Sequence, residues 1–349
     1  MSRASWRAWL ALGACVAALC SIRALLHHAV EQRVVAALAR NERYAGSYRD
    51  VDISVLRLSY SIEGLELVRR TGRIPVPFVT AERVDYALDA TQLVRGRVRG
   101  SIAISRPVLN LVDGPTPALR QGPTGVDWRI VMRRLFPTNL NRIEIRDGAL
   151  HFRNFHTEPE VDVRLDRLQI EATNLAWRGA AARGVAFHLR GSGAAMESGS
   201  IDGEVSLYRD TREPSFDCRL RIAGARLPEW NSLLQAYLGI DVESGSARVD
   251  VDLRARDGAL QGSVTPAIAD LRALDLPGEL LRQSALDSVA ESLIDLAVFL
   301  LRDPERHVIE TRIPVSGTIR DPRRDDWESA RQLVHQAFVA GLESLGEAL

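Results

Sequence analysis

The densest group of side chains that could act in chemistry lies between residues 151 and 162. It consists of two histidines and three carboxylates, which are residue types that bind metals or transfer protons: His151, His156, Glu158, Glu160 and Asp162. Leu150 and Phe152 alternate with His151, which indicates a strand whose apolar side chains face a core while His151 faces solvent. A metal site is one interpretation of the group. A polar sheet face beside a turn is the other, and the spacing favours it.

No known catalytic pattern supplements this group. The chain has no Gly-x-Ser-x-Gly elbow, His-Glu-x-x-His, Cys-x-x-Cys, Walker or Rossmann fingerprint, and all of its basic side chains other than histidine are arginines. The absence of lysine excludes a Schiff base and a P-loop lysine. His188 reads as an ordinary strand residue, and Cys218 shares the parity of Phe216 and Leu220, which predicts a buried and inert thiol. We therefore predict no enzyme activity, catalytic residue, metal or cofactor.

The size and charge of the chain limit the classes of function that remain possible. The chain has 349 residues, of which 46% are hydrophobic, so it can bury a core. Its 45 basic and 45 acidic residues give a formal net charge of +0. Because nucleic-acid binding needs an excess of basic residues, we expect no nucleic-acid partner.

The amino terminus predicts a membrane anchor. Arg3 and Arg7 precede an apolar stretch at Ala8–Leu26, and a positive flank of this kind stays in the cytoplasm. We expect one span in the inner membrane of a Gram-negative bacterium, with the bulk of the chain in the periplasm. Two alternatives remain open, namely a cleaved signal sequence and a lipoprotein modified at Cys15.

The middle of the chain has the period of β-structure. From Val51 to Leu276, apolar and polar residues alternate, which is typical of antiparallel strands with one solvated face. The alternation changes phase at Asp166-Arg167, which predicts a bulge. The pentapeptide Arg-Asp-Gly-Ala-Leu occurs at 146–150 and 256–260, and we predict a tight hairpin turn at both Asp-Gly pairs.

Helical periods occur around this sheet. They predict helices at 126–135, 228–238, 278–301 and 326–345, with a short strand at 308–316. We divide the chain into an anchor with a juxtamembrane helix (1–42), an N-terminal β region (43–125), a central β region (126–276) and C-terminal amphipathic helices with one strand (277–349).

The order of these signals resembles that of AsmA-like proteins of bacterial envelopes, related to AsmA and TamB, and in particular a branch with an uncharacterised domain. The segments that carry the resemblance follow one another along nearly the whole chain: Tyr44–Tyr48, Val51–Leu56, Ile62–Leu67, Ala81–Asp85, Leu93–Gly96, Ile104–Val112, Ile143–Phe155, Ala172–Leu175, Val242–Gly245, Arg256–Gly258 with Gly262, Ile313–Gly317 and Asp321-Pro322. The chain departs from the pattern at Gly262–Pro266, where related chains often have Gly-Tyr-x-Lys-Pro.

The resemblance implies a mainly β fold, namely an elongated, twisted antiparallel sheet or trough with an apolar inner face, an N-terminal transmembrane helix and flanking amphipathic helices. It also implies a non-enzymatic protein that binds phospholipid or passes it along this trough. The residues of apolar parity are the candidates for its lining: Val84, Tyr86, Leu88, Ile102, Ile104, Ile143, Ile145, Val163, Leu165, Leu220, Ile222, Val249, Val251 and Leu253. The alternative is an envelope scaffold or outer-membrane assembly factor, with envelope proteins as partners and a core filled by its own helices. An apolar strand face has the same sequence whether a helix or an acyl chain covers it.

Overall fold

Alternating polar and apolar residues form a single sheet in the part of the chain that the structure describes. The computed structural model describes residues 44–70, 73–96, 99–122, 139–173, 185–208, 215–239, 241–275, 308–310 and 312–318, and also residues 28, 31, 32 and 35. The strands are β1 (Tyr44–Ser47), β2 (Asp50–Ser54), β3 (Ser59–Arg69), β4 (Val79–Leu88), β5 (Arg99–Ser105), β6 (Val108–Asp113), β7 (Asn139–Asn154), β8 (Val161–Thr173), β9 (Val185–Ala195), β10 (Gly199–Tyr208), β11 (Phe216–Arg226), β12 (Asp241–Arg256), β13 (Ala259–Asp275), β14 (Val308–Glu310) and β15 (Ile313–Thr318). The predicted mainly β class is confirmed.

The strands follow one another across the sheet almost in chain order. The order is β1-β3-β4-β5-β7-β8-β9-β10-β11-β12-β13-β14, which gives twelve strand positions. Three of these positions hold two short strands end to end: β1 and β2 both pair with β3, β5 and β6 both pair with β4 and β7, and β14 and β15 both pair with β13. The sheet is therefore a long meander with a split strand at each edge.

One position corrects the prediction of a purely antiparallel sheet. β7 runs parallel to β5 and β6, whereas the other strand pairs are antiparallel. The chain between Asp113 and Asn139 is long enough for the crossover that a parallel pair requires. The described sheet is therefore mixed.

Residues with positive φ interrupt three neighbouring strands at the same level. Arg106 (φ 46°) separates β5 from β6, Asp147 (φ 54°) lies within β7, and Arg167 (φ 51°) lies within β8. The ladder register shifts at Asp147 and at Arg167, so the predicted bulge at Asp166-Arg167 is confirmed. Bulges bend strands, and their alignment bends the sheet along a line that we call the crease.

The two predicted hairpin turns have different outcomes. Asp257 (φ 46°) and Gly258 (φ 77°) form the predicted turn between β12 and β13, in which both central residues need positive φ. The prediction is wrong for Asp147-Gly148, which is a bulge inside β7. Here β5 and β6 pair with β7 on one side and β8 pairs with it on the other, so the strand continues through the pentapeptide.

Helical segments are short in the described part of the chain. They are α1 (Ala90–Val94), a 3₁₀ turn at Pro117–Leu119, a 3₁₀ turn at Leu227–Trp230 and α2 (Asn231–Leu238). The last two are continuous and confirm the predicted helix at 228–238. The predicted helices at 126–135, 278–301 and 326–345 and the predicted anchor at Ala8–Leu26 lie outside the described residues.

The main hydrophobic core lies on one face of the first strands. It contains nine buried residues, and their strands extend from β2 to β8: Val51, Ile53, Ile62, Ala81, Val84, Tyr86, Ile102, Leu140 and Ala172. A smaller cluster of Ala255, Leu260 and Val315 lies at the other end of the sheet. Both clusters belong to the apolar face, which is the same side of the meander throughout.

Candidate functional site

Two adjacent rows of apolar residues run across the whole described sheet. The strand register connects the first apolar row from one edge to the other: Ile53, Tyr60, Tyr86, Ile102, Ile143, Ala172, Leu189, Val205, Cys218, Leu253, Gly262 and Val315. The second apolar row lies two residues further along each strand: Val51, Ile62, Val84, Ile104, Ile145, Ile170, Gly191, Gly203, Leu220, Val251, Val264 and Ile313. No charged residue occurs in either row.

The register brings most of the predicted lining residues into these rows. Nine of them lie there: Tyr86, Ile102, Ile143 and Leu253 in the first row, and Val84, Ile104, Ile145, Leu220 and Val251 in the second. Ile222 and Val249 form the next pair on the same face, and Leu88 lies beyond the first row. Val163 and Leu165 lie on the far side of the crease, near α2, and are separate from the rows.

Burial along the rows differs between the two halves of the sheet. In the N-terminal half (β1–β7), Ile62 and Ile102 are each 1% exposed and Tyr86 is 4% exposed. In the C-terminal half (β8–β15), the row residues Leu220, Val251 and their neighbours on β9–β12 are only half-buried. Coverage is therefore most complete at Ile62, Ile102 and Tyr86. Ile104, Ile143 and Ile145 of the same half are half-buried, like the row residues on β9–β12, and Val315 at the far edge is 5% exposed.

Two aromatic rings pack together on the apolar face of the N-terminal half. The Tyr86 ring lies against Gly100, so close that a Cβ at Gly100 would meet the ring at 2.6 Å. The Tyr60 ring lies beside Tyr86, with ring centroids 5.0 Å apart. Aromatic packing over a strand glycine stabilises a sheet, which is a structural use of these side chains.

Glycines replace bulky residues at the accessible end. Gly191 and Gly203 are paired neighbours in the second row, between Ile170 and Leu220. A Cβ at Gly191 would meet Ile170 Cγ1 at 3.1 Å, and a Cβ at Gly203 would meet Leu220 Cδ1 at 3.0 Å. The Ile170 and Leu220 side chains therefore extend over the glycines, and the surface is nearly flat there.

Cys218 lies in the first row within this accessible half. Its burial raises the pKa of the thiol, and the nearby Asp252 carboxylate raises it further. The thiol is only half-buried, which differs from the predicted full burial. A raised pKa favours the protonated thiol over the reactive thiolate.

The opposite face carries the charged residues and a shallow groove of about 840 Å³. The groove crosses β7–β13, and its floor is the backbone of the second apolar row. Two rows of charged and polar side chains flank it, with charge alternating across β8–β12 in the order Glu171, Arg190, Glu204, Arg219 and Asp252. Arg221 Nε lies 2.5 Å from Asp250 Oδ1, and Arg142 Nε lies 3.1 Å from Glu171 Oε1. Opposite charges thus balance one another across this face.

The predicted histidine and carboxylate group is dispersed by the fold. His151 Nδ1 lies 2.9 Å from Asp162 Oδ1 on the polar side of β7 and β8, whereas His156, Glu158 and Glu160 are exposed. The His151 side chain faces the polar side of the sheet, as predicted, and the neighbouring Asp162 and Arg153 side chains leave it 16% exposed. Among the described residues, no three histidine, cysteine or acidic side chains are placed to hold a metal ion.

Sequence reasoning missed a second histidine contact. His188 Nδ1 lies 3.1 Å from Ser206 Oγ, and His188 Nε2 lies 3.6 Å from Glu204 Oε1. A serine, a histidine and a carboxylate also form hydrolase triads, but hydrolysis needs spare N–H groups to stabilise an oxyanion. β9 and β10 have a pairing strand on each side, which engages their backbone N–H groups. We interpret the three side chains as cross-strand contacts, whose signal is strand register and not sequence spacing.

Searches for membrane helices and for relatives add two findings. Within the described ranges, no helix is both long and apolar enough to cross a bilayer. No model of a known protein family matches the chain, and no curated protein matches it significantly.

Proposed function

We propose that this chain is a non-enzymatic periplasmic protein, anchored in the inner membrane, that binds phospholipid acyl chains on its apolar sheet face and passes them along it. The observation that carries the proposal is the continuity of the two apolar rows across all twelve strand positions. The resemblance to AsmA-like proteins and the predicted anchor at Ala8–Leu26 support the compartment.

The dimensions of the rows suit an acyl chain in transit. Twelve positions at about 4.8 Å spacing extend over roughly 55 Å. Half of a bilayer's hydrocarbon core is about 15 Å thick, so the rows are several times longer than one acyl chain. Each methylene removed from water contributes about 0.8 kcal/mol and needs no polar partner. A uniform apolar row would therefore let an acyl chain slide along the sheet without being held in a deep minimum of binding free energy.

We assign the acyl-binding surface to the C-terminal half, and the pattern of burial supports this assignment. Ile62 and Ile102 are already covered by protein, so they gain nothing from a lipid. Leu220, Val251 and Leu253 keep accessible surface, and an acyl chain lying on them would remove it from water. We therefore assign binding to β9–β13 and a structural role to β2–β5.

Lipid extraction tests this assignment. The full chain is purified in mild detergent beside Val251→Asp, and bound phospholipid is measured by native mass spectrometry. We expect lipid with the wild type and little with the variant, because a carboxylate on the row opposes an apolar ligand. Gln169→Asp is the matched control, since Gln169 is exposed on the charged face of the same sheet.

The outcomes separate the proposal from its alternative. Lipid that is lost in a folded Val251→Asp protein and retained in Gln169→Asp supports binding on the apolar face. A wild type without lipid, together with a Val251→Asp protein that does not fold, supports a scaffold or outer-membrane assembly factor with a self-filled core. The full burial of Ile62 and Ile102 is the observation that favours this second candidate.

A further inference from the structure

One short segment crosses the end of the apolar face. The strap, defined as Leu227–Leu238, consists of the 3₁₀ turn and α2 and leaves the sheet between β11 and β12. Its first part packs against β11 and β12, and α2 reaches back to β8. Four 3₁₀ residues and eight α-helical residues extend about 20 Å, which is the width of roughly four strand spacings.

The strap is held at its first end by a carboxylate. Glu229 Oε2 accepts hydrogen bonds from the backbone N–H groups of Glu197 and Ser198, each at 3.0 Å, in the turn between β9 and β10. Arg226 Nε donates to Glu229 Oε1 at 2.8 Å. Burial alone would raise the pKa of Glu229, but these hydrogen bonds together lower it below its usual range. The carboxylate therefore stays ionised and keeps the strap on the turn.

The strap is held at its other end by a phenol. Tyr237 Oη donates to Asp113 Oδ2 at 2.8 Å and accepts from Asn154 Nδ2 at 3.0 Å. The Tyr237 ring also lies beside Phe152, with ring centroids 6.1 Å apart. Asp113 belongs to β6 and Asn154 to β7, so this contact joins the strap to the N-terminal half of the sheet.

Burial of the strap between these ends is incomplete. The residues from Glu229 to Ala236 are half-buried, and Tyr237 is 41% exposed. The Trp230 Nε1–H group is shielded from solvent and has no acceptor among the described residues, so the closed position leaves a donor unsatisfied. A segment without fully buried side chains opens locally at a lower cost than an element of the core.

Two alanines next to the first attachment point of the strap are covered. Ala195, just before the turn that Glu229 binds, has no exposed surface, and Ala225, two residues before the strap, is 3% exposed. Gly239, directly after α2, has φ 65°, a left-handed conformation in which glycine is free of the Cβ clash that other residues meet. Asn231 holds the strap across this position, because its Nδ2 donates to Asp241 Oδ1 at 2.7 Å and to Val242 O at 2.8 Å, and its Oδ1 accepts from Val242 N at 3.0 Å.

We propose that the strap is a movable lid over one end of the apolar face, joined to β12 by Asn231 and held closed at its two ends by Glu229 and Tyr237. The lid regulates the acyl-binding surface and in that respect rests on the proposed function, but its movement can be measured without lipid. Opening uncovers the face next to Phe152 and Ala195 and gives Trp230 Nε1–H access to solvent.

Thiol labelling tests the movement. In a full chain with Cys15, Cys20 and Cys218 replaced by serine, Ala195→Cys is labelled with a maleimide, with and without Tyr237→Phe. We expect Tyr237→Phe to raise the labelling rate about tenfold, because it removes one holding contact, and Glu229→Gln to raise it further.

Ala172→Cys in the same background is the matched control. Ala172 is also a buried alanine, but it packs in the main hydrophobic core, which extends from β2 to β8. Its labelling rate should not change with Tyr237→Phe. Equal acceleration at both cysteines would show general unfolding, and no acceleration at Ala195→Cys would show a fixed strap. Either result overturns the proposal.

Lipid exchange tests the regulation separately. Transfer of a pyrene-labelled phospholipid from phosphatidylethanolamine vesicles to the protein should be faster in Tyr237→Phe, with an unchanged amount bound at equilibrium. Faster labelling with no phospholipid bound by any variant would overturn acyl binding while leaving the lid in place. Faster labelling with unchanged transfer would overturn the regulatory role.

Discussion

The two halves of the sheet have the same alternating pattern but use it differently. In the N-terminal half, the row residues Ile62, Ile102 and Tyr86 are buried, and the Tyr86 ring packs over Gly100 beside Tyr60. In the C-terminal half, Gly191 and Gly203 lie in the second row, and the aliphatic residues around them remain half-buried. The alternation determines which face is apolar, whereas the packing above the face determines whether it is a core or a surface.

This difference indicates that the two halves of the sheet have different roles. A covered apolar face stabilises the fold, because burial of its side chains is the main favourable term in folding. A partly accessible face contributes less to the stability of the fold. Its exposed apolar area can still be removed from water when a ligand binds. The following variants measure how far the two halves differ.

The largest effect is expected from truncation of a row residue in each half. Ile102→Ala should lower the free energy of unfolding by about 2–5 kcal/mol, since Ile102 is fully buried. Leu220→Ala should cost only about 1 kcal/mol, because Leu220 is half-buried. Urea unfolding followed by circular dichroism measures both losses, and equal losses would remove the distinction between the halves.

Adding a methyl group at a strand glycine in each half should give the next largest effect. Gly100→Ala should cost about 1–3 kcal/mol, because the new Cβ would meet the Tyr86 ring at 2.6 Å. Gly203→Ala should cost less, below about 1 kcal/mol, because the new Cβ would meet the end of the Leu220 side chain at 3.0 Å and the Arg219 backbone oxygen at 3.3 Å, both farther than the Tyr86 ring from Gly100. The midpoints of thermal unfolding compare the two variants. A larger loss for Gly203→Ala would show that the C-terminal half is the more tightly packed.

Alkaline pH should weaken the link between the halves. Burial and the Asp113 carboxylate raise the pKa of Tyr237 to about 12, despite an opposing hydrogen bond from Asn154. A raised pKa means that Tyr237 contributes stability below its ordinary value of 10.0 and loses it as pH rises toward 12. Hydrogen exchange of the strap should therefore accelerate over this range in the wild type.

Tyr237→Phe is the control for this titration, and it should show a smaller change of strap exchange between pH 10 and 12. The absence of lysine helps the measurement, because no lysine titrates in this range. A variant with the same alkaline acceleration as the wild type would assign the effect to another group.

The smallest effect is expected on the charged face. Arg221→Ala removes the contact to Asp250, but both side chains are solvent-accessible and water screens their attraction. The loss of stability should be below about 1 kcal/mol by urea unfolding. A loss as large as that of Ile102→Ala would mean that the charged face, and not the apolar one, holds the sheet together.

The repeated pentapeptide shows how far local sequence determines this fold. Asp257-Gly258 forms the predicted turn, and Asp257 N donates to Ser215 Oγ at 2.8 Å. The same five residues at 146–150 stay within β7, where Ala149 N donates to Pro107 O at 2.7 Å. The neighbouring strands determine whether the pentapeptide forms a turn or a bulge, and the local sequence does not specify which strands those are. The parallel placement of β7 has the same origin.

The candidate site was predictable in one respect. Alternation placed residues such as Val84, Ile145 and Val251 on a common face, since parity survives any register that keeps the face. It did not predict that Ile102 would be covered and Leu253 accessible, because covering depends on contacts between distant segments. It also missed the strap contacts of Tyr237, whose partner Asp113 is distant in the chain.

The split edge strands have a consequence for how the protein behaves among copies of itself. A sheet with twelve positions offers two long borders on which another chain could polymerise. In the described part of the chain, these borders are broken into strands of four and five residues at one side and three and six at the other. Short, interrupted borders are poor templates for fibril growth, so concentrated protein should remain dispersed despite its wide apolar face.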